Sequence, residues 1–231
     1  MISLRDVSVI VPAVRRGDAD RALLTDITLD LAERRIAVVG ANGSGKSTLL
    51  RLLNGLRQPS AGSVTVDGRD TVRDAKAVRS RVGFVFTDPL AQLLMSTPVE
   101  DVELSLRGIV ADRKQRTARA MKLLDERGLA PLAHQSIYDL SGGERQLVAL
   151  TSVLAVSPSI LIADEPTTLL DLRNKKALRR VFADLEQQLI FSTHDLDFAA
   201  DAERVIVIDG GRVIADGEPH AALAHYEAAM A

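Results

Sequence analysis

The sequence predicts an α/β fold built on a mostly parallel sheet, and three observations carry that expectation. Short apolar runs at 35–39, 82–86, 160–163, 189–192 and 205–208 alternate with helical sequence, as parallel strands joined by crossover helices do. A glycine-rich loop joins the first of these runs to a leucine-rich helix. The opening 2–31 is β-rich instead: Val7, Val9 and Val11 alternate, as do Ile27, Leu29 and Leu31.

Within that opening, Pro12–Asp20 reads as a polar turn region. The helix after the glycine-rich loop is expected to bury Leu49, Leu50, Leu52, Leu53 and Leu56. Ser63–Asp70 reads as a strand running into an Asp67-Gly68 hairpin turn. From Asp88 to Ala155 the texture becomes helical, punctuated by Pro98, Gly108, Gly128 and Pro131. This stretch is expected as an insertion, 88–155, into a single domain whose core comprises 1–87 and 156–231.

Composition narrows the classes of function. A chain of 231 residues can bury a complete core, and 46% apolar with 26% charged residues is ordinary globular balance. Net charge is −2 with no basic stripe, so nucleic acid is not an expected partner. The chain has no cysteine, which excludes disulfides, thiolate metal sites and a cysteine nucleophile. No apolar run approaches membrane-spanning length and no secretory signal pattern opens the chain, so a membrane role is expected to run through partners.

Gly40-Ala41-Asn42-Gly43-Ser44-Gly45-Lys46-Ser47-Thr48 contains the pattern G-x-x-x-x-G-K-[ST] between a strand and a helix. Glycines let successive N–H groups turn inward onto phosphate oxygens, and the helix start adds its dipole. Lys46 is placed for β- and γ-phosphates and Ser47 for Mg²⁺. A mere strand–helix turn would show this pattern by chance in about one such chain in a hundred. Leu140-Ser141-Gly142-Gly143-Glu144-Arg145-Gln146 precedes another helix. Ser141 and Glu144 make a capping box, and taken alone that accounts for the segment without any ligand.

Together with the phosphate loop, LSGGERQ resembles the signature of the ABC ATPases. The order of motifs is similar over nearly the whole chain: phosphate loop, helical insertion, signature, acidic strand end, histidine after a strand. The resemblance implies the ABC ATPase fold, with an N-terminal antiparallel β subdomain and an inserted helical subdomain. It implies ATP and Mg²⁺ as ligands and a head-to-tail dimer. There Ser141, Gly142 and Gly143 would meet the γ-phosphate held on the partner's Lys46.

Ile160-Leu161-Ile162-Ala163-Asp164-Glu165 is an apolar strand ending in two acids, where α/β sheets bind ligands. Asp164 is the expected second Mg²⁺ residue, and Glu165 the group that orients and polarises the attacking water. His194 follows the 189–192 run; a lone histidine there is usually structural, but the family places a γ-phosphate and water contact at this position. Asp171 corresponds to the family's dimer-contact loop.

The sequence departs from the family at two places. Thr87 stands where many members carry a metal-contacting glutamine, and is too short to span that reach; Gln92 lies five residues on. Val9 and Val11 stand where an aromatic often stacks on adenine, so plain apolar contact is expected there. Residues 86–101 resemble energy-coupling factor importers, and Thr87-Asp88-Pro89 with 167–174 resembles their biotin-type ATPase; cobalt, nickel or another vitamin is the alternative cargo, and a non-transport ABC ATPase the more distant one. That likeness implies a membrane-embedded coupling protein, a substrate-capturing membrane protein, a homodimer of ATPase subunits and a peripheral place at the cytoplasmic membrane face. Leu93, Leu94 and Met95 are expected to floor a groove for a partner helix, flanked by Glu100, Asp101 and Glu103. A core helix with a solvated acidic face accounts for that pattern equally. On the groove reading, Thr87→Ala is expected to leave transport nearly intact.

Overall fold

The computed structural model describes residues 1–13 and 19–230, so most of the expected Pro12–Asp20 turn lies outside the described residues. Strands β1 (Ile2–Val11) and β2 (Arg21–Leu31) form an antiparallel pair. Then come β3 (Arg35–Val39), α1 (Lys46–Leu53), β4 (Ala61–Val66), β5 (Arg69–Asp70), α2 (Ala75–Arg79) and β6 (Val82–Val85). The helical stretch contributes α3 (Pro98–Leu106), α4 (Arg113–Asp125) and α5 (Gly142–Leu154). The chain returns through β7 (Ile160–Ala163), α6 (Leu172–Asp184), β8 (Gln188–Ser192), α7 (Leu196–Ala199), β9 (Arg204–Asp209), β10 (Arg212–Gly217) and α8 (Pro219–Met230).

Two sheets result. One is antiparallel, ordered β2-β1-β4-β5; the other is ordered β10-β9-β3-β8-β7-β6, parallel except for β10. Side-chain alternation divides the apolar runs of the second sheet between two cores. Ile36, Val38, Ile162, Ile190 and Ile206 face α1 and the antiparallel sheet. Ala37, Val39, Leu161, Phe191 and Val205 face α5, α6, α7 and α8. Covered on both sides, such strands read as continuous apolar sequence.

A third core sits among the helices, around Val99, Val102, Leu106, Leu124 and Ile137. Helix α5 belongs to both neighbouring cores, giving Leu150 and Leu154 to one and Val148 and Ala149 to the other. Leu56 departs from expectation: it is 47% exposed. Helix α1 stops at Leu53 because Gly55 takes φ +69°, and a Cβ there would stand 2.5 Å from the Thr71 carbonyl oxygen. Register places the C-terminal ends of β3, β8 and β7 side by side, through Val38 opposite Ser192 and Ala163 opposite Phe191.

Candidate active site

The loop after β3 is shaped by close approach. At Gly40 a Cβ would lie 2.1 Å from the Ile208 carbonyl oxygen, and at Gly45 2.8 Å from that of Leu23. Gly45 is the residue before α1, with no side-chain cap and no acid in the first turn. The first N–H groups of α1 therefore have no partner within the helix and face an anion-sized space. Among the described residues the buried Ser44 hydroxyl also finds no partner.

Lys46 is 5% exposed and folds back onto this loop. Its Nζ donates to the Gly40 and Ala41 carbonyl oxygens at 2.8 and 3.0 Å and lies 3.5 Å from Glu165 Oε1. Burial pushes the Lys46 pKa below its ordinary value, against the opposing pull of the Glu165 carboxylate.

The two acids at the end of β7 have different surroundings. Asp164 is 2% exposed, and its Oδ1 accepts from Ser47 Oγ at 2.9 Å and from Ser192 Oγ at 2.8 Å. Glu165 turns toward the surface at φ +47°, a left-handed conformation costing about 1–3 kcal/mol in a non-glycine residue. Its Oε1 lies 2.7 Å from His194 Nε2, and its Oε2 accepts from Thr168 Oγ1 at 3.1 Å. Lys46, Ser47, Asp164, Glu165 and His194 thus form one connected cluster from two strand ends and a helix start.

A cleft of about 220 Å³ joins Asn42, Gly43, Lys46 and Thr48 to Glu165. Its far wall is Arg21 and Leu23 of β2. Val9 is buried in the core and does not line it, while Val11 pairs with Arg21 across β1 and β2. Alternation along β1 sends Val9 inward.

Ser141, Gly142 and Gly143 do not line that cleft. They start α5, where the capping box forms: Glu144 N–H donates to Ser141 Oγ at 3.3 Å, and Ser141 N–H to Glu144 Oε2 at 2.7 Å. A Cβ on Gly143 would stand 2.3 Å from the Asn174 side chain of α6. Asp171 caps α6, accepting from Asn174 N–H at 2.8 Å.

Thr87 and Gln92 have definite partners. Thr87 Oγ1 donates to the Asp164 carbonyl oxygen at 2.8 Å. Gln92 accepts from Phe86 N–H at 3.1 Å and donates to the Ala149 carbonyl oxygen at 3.3 Å, bracing β6 against α5. The expected three-residue groove floor divides. Leu93 is buried in the helical core, and Met95 lies in a separate charged recess with Glu100, Glu103 and Arg116. Leu94, 75% exposed, borders a groove of about 310 Å³ with Phe84, Leu104, Val153 and Val156. Asp101 does not flank it as a free charge. It is buried and accepts from Leu94 N–H, Met95 N–H and Ser152 Oγ, because the inner face of α3 carries it beside Val102.

Sequence reasoning missed Ser192, Arg21, Leu23 and Thr168. Only Ser192 left a signal, as a hydroxyl closing an otherwise apolar buried strand. Thr168 meets Glu165 through the local turn three residues on, while Arg21 and Leu23 reach the site through tertiary proximity.

Architecture and motif order define an ATP-binding cassette. The fold matches the dimeric cassette MJ0796 in its post-hydrolysis state with ADP and Pi, at TM-score 0.83 and 28% identity, covering 95% of this chain and 99% of that one. Residues 24–168 match the ABC transporter family, and the chain belongs to it. It is 43% identical over 206 residues to the biotin transport ATP-binding protein BioM of Rhizobium etli, covering 89% of this chain and 92% of that protein. It is 36% identical to the energy-coupling factor transporter ATP-binding protein EcfA1 of Ligilactobacillus salivarius, covering 87% of this chain and 73% of that protein.

The capping box carries a pH prediction. Hydrogen bonds from the Ser141 side chain and then its backbone hold the Glu144 carboxyl below its ordinary 4.5. A lowered folded value means stabilisation that is present above the unfolded value and lost as pH falls through the folded one. Glu144→Ala should cost about 0.3–1.5 kcal/mol at neutral pH. In urea denaturation that difference from the parent should shrink in acid; a gap that persists unchanged there would contradict the assignment.

Proposed function

We propose that this chain is the ATP-hydrolysing subunit of an energy-coupling factor importer whose cargo is biotin. The observation that carries the hydrolytic reading is the Glu165 carboxylate held between His194 and Lys46 at the mouth of the phosphate loop. Identity to BioM and EcfA1 supports the importer class and the cargo.

ATP phosphates fit the loop of residues 40–48: Lys46 would leave the Gly40 and Ala41 carbonyls for the β- and γ-phosphates, with N–H groups of the helix start around them. The site also fits Mg²⁺. Ser47 Oγ and Asp164 Oδ1 are adjacent hard oxygens, and Mg²⁺ characteristically takes one or two protein oxygens together with substrate phosphates. When bound, the metal neutralises charge building on the phosphates. Glu165 accepts a proton from the attacking water, and His194 fixes the carboxylate that does so. Arg21 and Leu23, which wall this cleft, would meet the base, the Arg21 guanidinium offering a plane where an aromatic ring is absent.

Ser141, Gly142 and Gly143 stand outside their own chain's phosphate cleft, which supports their acting on ATP held by a second copy. Among the described residues no helix is long and apolar enough to cross a membrane. The reading therefore seats the subunit peripherally, at the cytoplasmic face. Its groove beside Leu94 would receive a helix of the membrane-embedded coupling protein, which in turn holds the substrate-capturing protein.

Glu165→Gln should bind ATP but turn it over more slowly, by about 10²–10⁴-fold. Phosphate release at the parental rate by that variant would remove Glu165 from the mechanism. Mixing Lys46→Ala with Ser141→Arg chains should restore one intact composite site per heterodimer, so the mixture should exceed either parent. Equal activity of mixture and parents would rule out a site shared between copies. Leu94→Asp should still bind ATP yet lose its membrane partners on purification. The partners recovered with the parent should bind biotin; capture of cobalt or nickel instead would overturn the cargo.

A further inference from the structure

Glu165 is unusual in its backbone. Among the described residues, the other non-glycine positions with positive φ are Asp6, Asp26, Asp67 and Ser157, all exposed. Asp and Ser are short enough to support such a turn through their own side chains. Glu165 is longer, half-buried, and spends its carboxylate on His194 and Lys46. Something else must hold its backbone.

One peptide unit explains it. The carbonyl of Asp164 and the N–H of Glu165 belong to the same plane, and each edge is held by a side-chain hydroxyl from a different strand end. Thr87, just past β6, donates to the carbonyl oxygen at 2.8 Å. Ser192, closing β8, accepts from the Glu165 N–H at 2.9 Å and donates its own hydroxyl hydrogen bond to Asp164 Oδ1 at 2.8 Å. The Ser192 hydroxyl is thereby oriented by Asp164, and the Thr87 hydroxyl by the stiff χ1 of a β-branched residue. Rotation of this peptide would swing the Glu165 Cβ away from His194.

We propose that Thr87 is a positioning residue for hydrolysis: with Ser192 it clamps the Asp164–Glu165 peptide and so aims the Glu165 carboxylate. The proposal rests on Glu165 being the base, as read above. It replaces the expectation that position 87 is dispensable, and it gives the hydroxyl a function that needs no reach to the metal.

Thr87→Val keeps the shape and removes the donor. In the purified full chain, with ATP as substrate, it should lower kcat by about 10- to 100-fold, the scale of a misplaced catalytic group. KM for ATP and the thermal midpoint should stay near the parental values. Thr87→Ser, which restores the donor, should recover most of the loss. Parental kcat in Thr87→Val alongside an inactive Glu165→Gln would overturn the clamp while leaving the base in place. So would a loss confined to KM, or one that vanishes on assay well below a lowered thermal midpoint. Parental turnover in Glu165→Gln would instead overturn the hydrolytic reading itself, so the two failures are distinguishable.

Discussion

Asp164 is a carboxylate almost entirely withdrawn from water, and such a group is tolerated only where hydrogen-bond donors surround it. The donors come from elsewhere in the chain. Ser47 reaches it from the first turn of α1 and Ser192 from the end of β8, while the Arg51 guanidinium stands 3.9 Å away. Satisfying this one side chain ties the phosphate loop, the strand bearing the acids and the strand bearing His194 into fixed relation. The order β3-β8-β7 makes that meeting possible, because parallel neighbours end at the same edge of the sheet.

Around this anchor the cluster holds itself closed. Lys46 satisfies its ammonium with loop carbonyls and Glu165, so a buried cation is kept in place by groups that phosphates would displace. Low dielectric strengthens the attraction between Lys46 and Glu165, even as burial weakens the hold of Lys46 on its proton. The arrangement stores backbone strain at Glu165, and the surrounding hydroxyls over-determine it.

The same region connects to the helical subdomain through few links. Gln92 spans from Phe86 to Ala149, and Gln146 approaches the Phe86 carbonyl oxygen at 3.5 Å. Thr87 adjoins Phe86, so the segment that holds the Glu165 peptide also contacts α5. The groove beside Leu94 and the Glu165 peptide are thus linked by the 86–92 segment and α5. The N-terminal end of the same helix carries Ser141 and Gly142.

Much was legible in the sequence because it is local. Period-2 and period-3.6 apolar patterns mark strands and helices, glycines mark close backbone approach at Gly40 and Gly45, and S-x-x-E marks the start of α5. The phosphate loop and the Asp164-Glu165 pair were likewise contiguous, and contiguity is what a motif records. Tertiary structure alone decided the rest. Which residues wall the phosphate-loop cleft depended on how β2 lies against the loop, which brought Arg21 and Leu23 there. Leu93, Leu94 and Met95 went to a core, a groove and a charged recess because neighbouring residues in an irregular turn point in unrelated directions. Thr87 and Ser192 lie 105 positions apart and meet one peptide only because β6 and β8 flank β7. A one-dimensional pattern carries no record of a contact between strand ends.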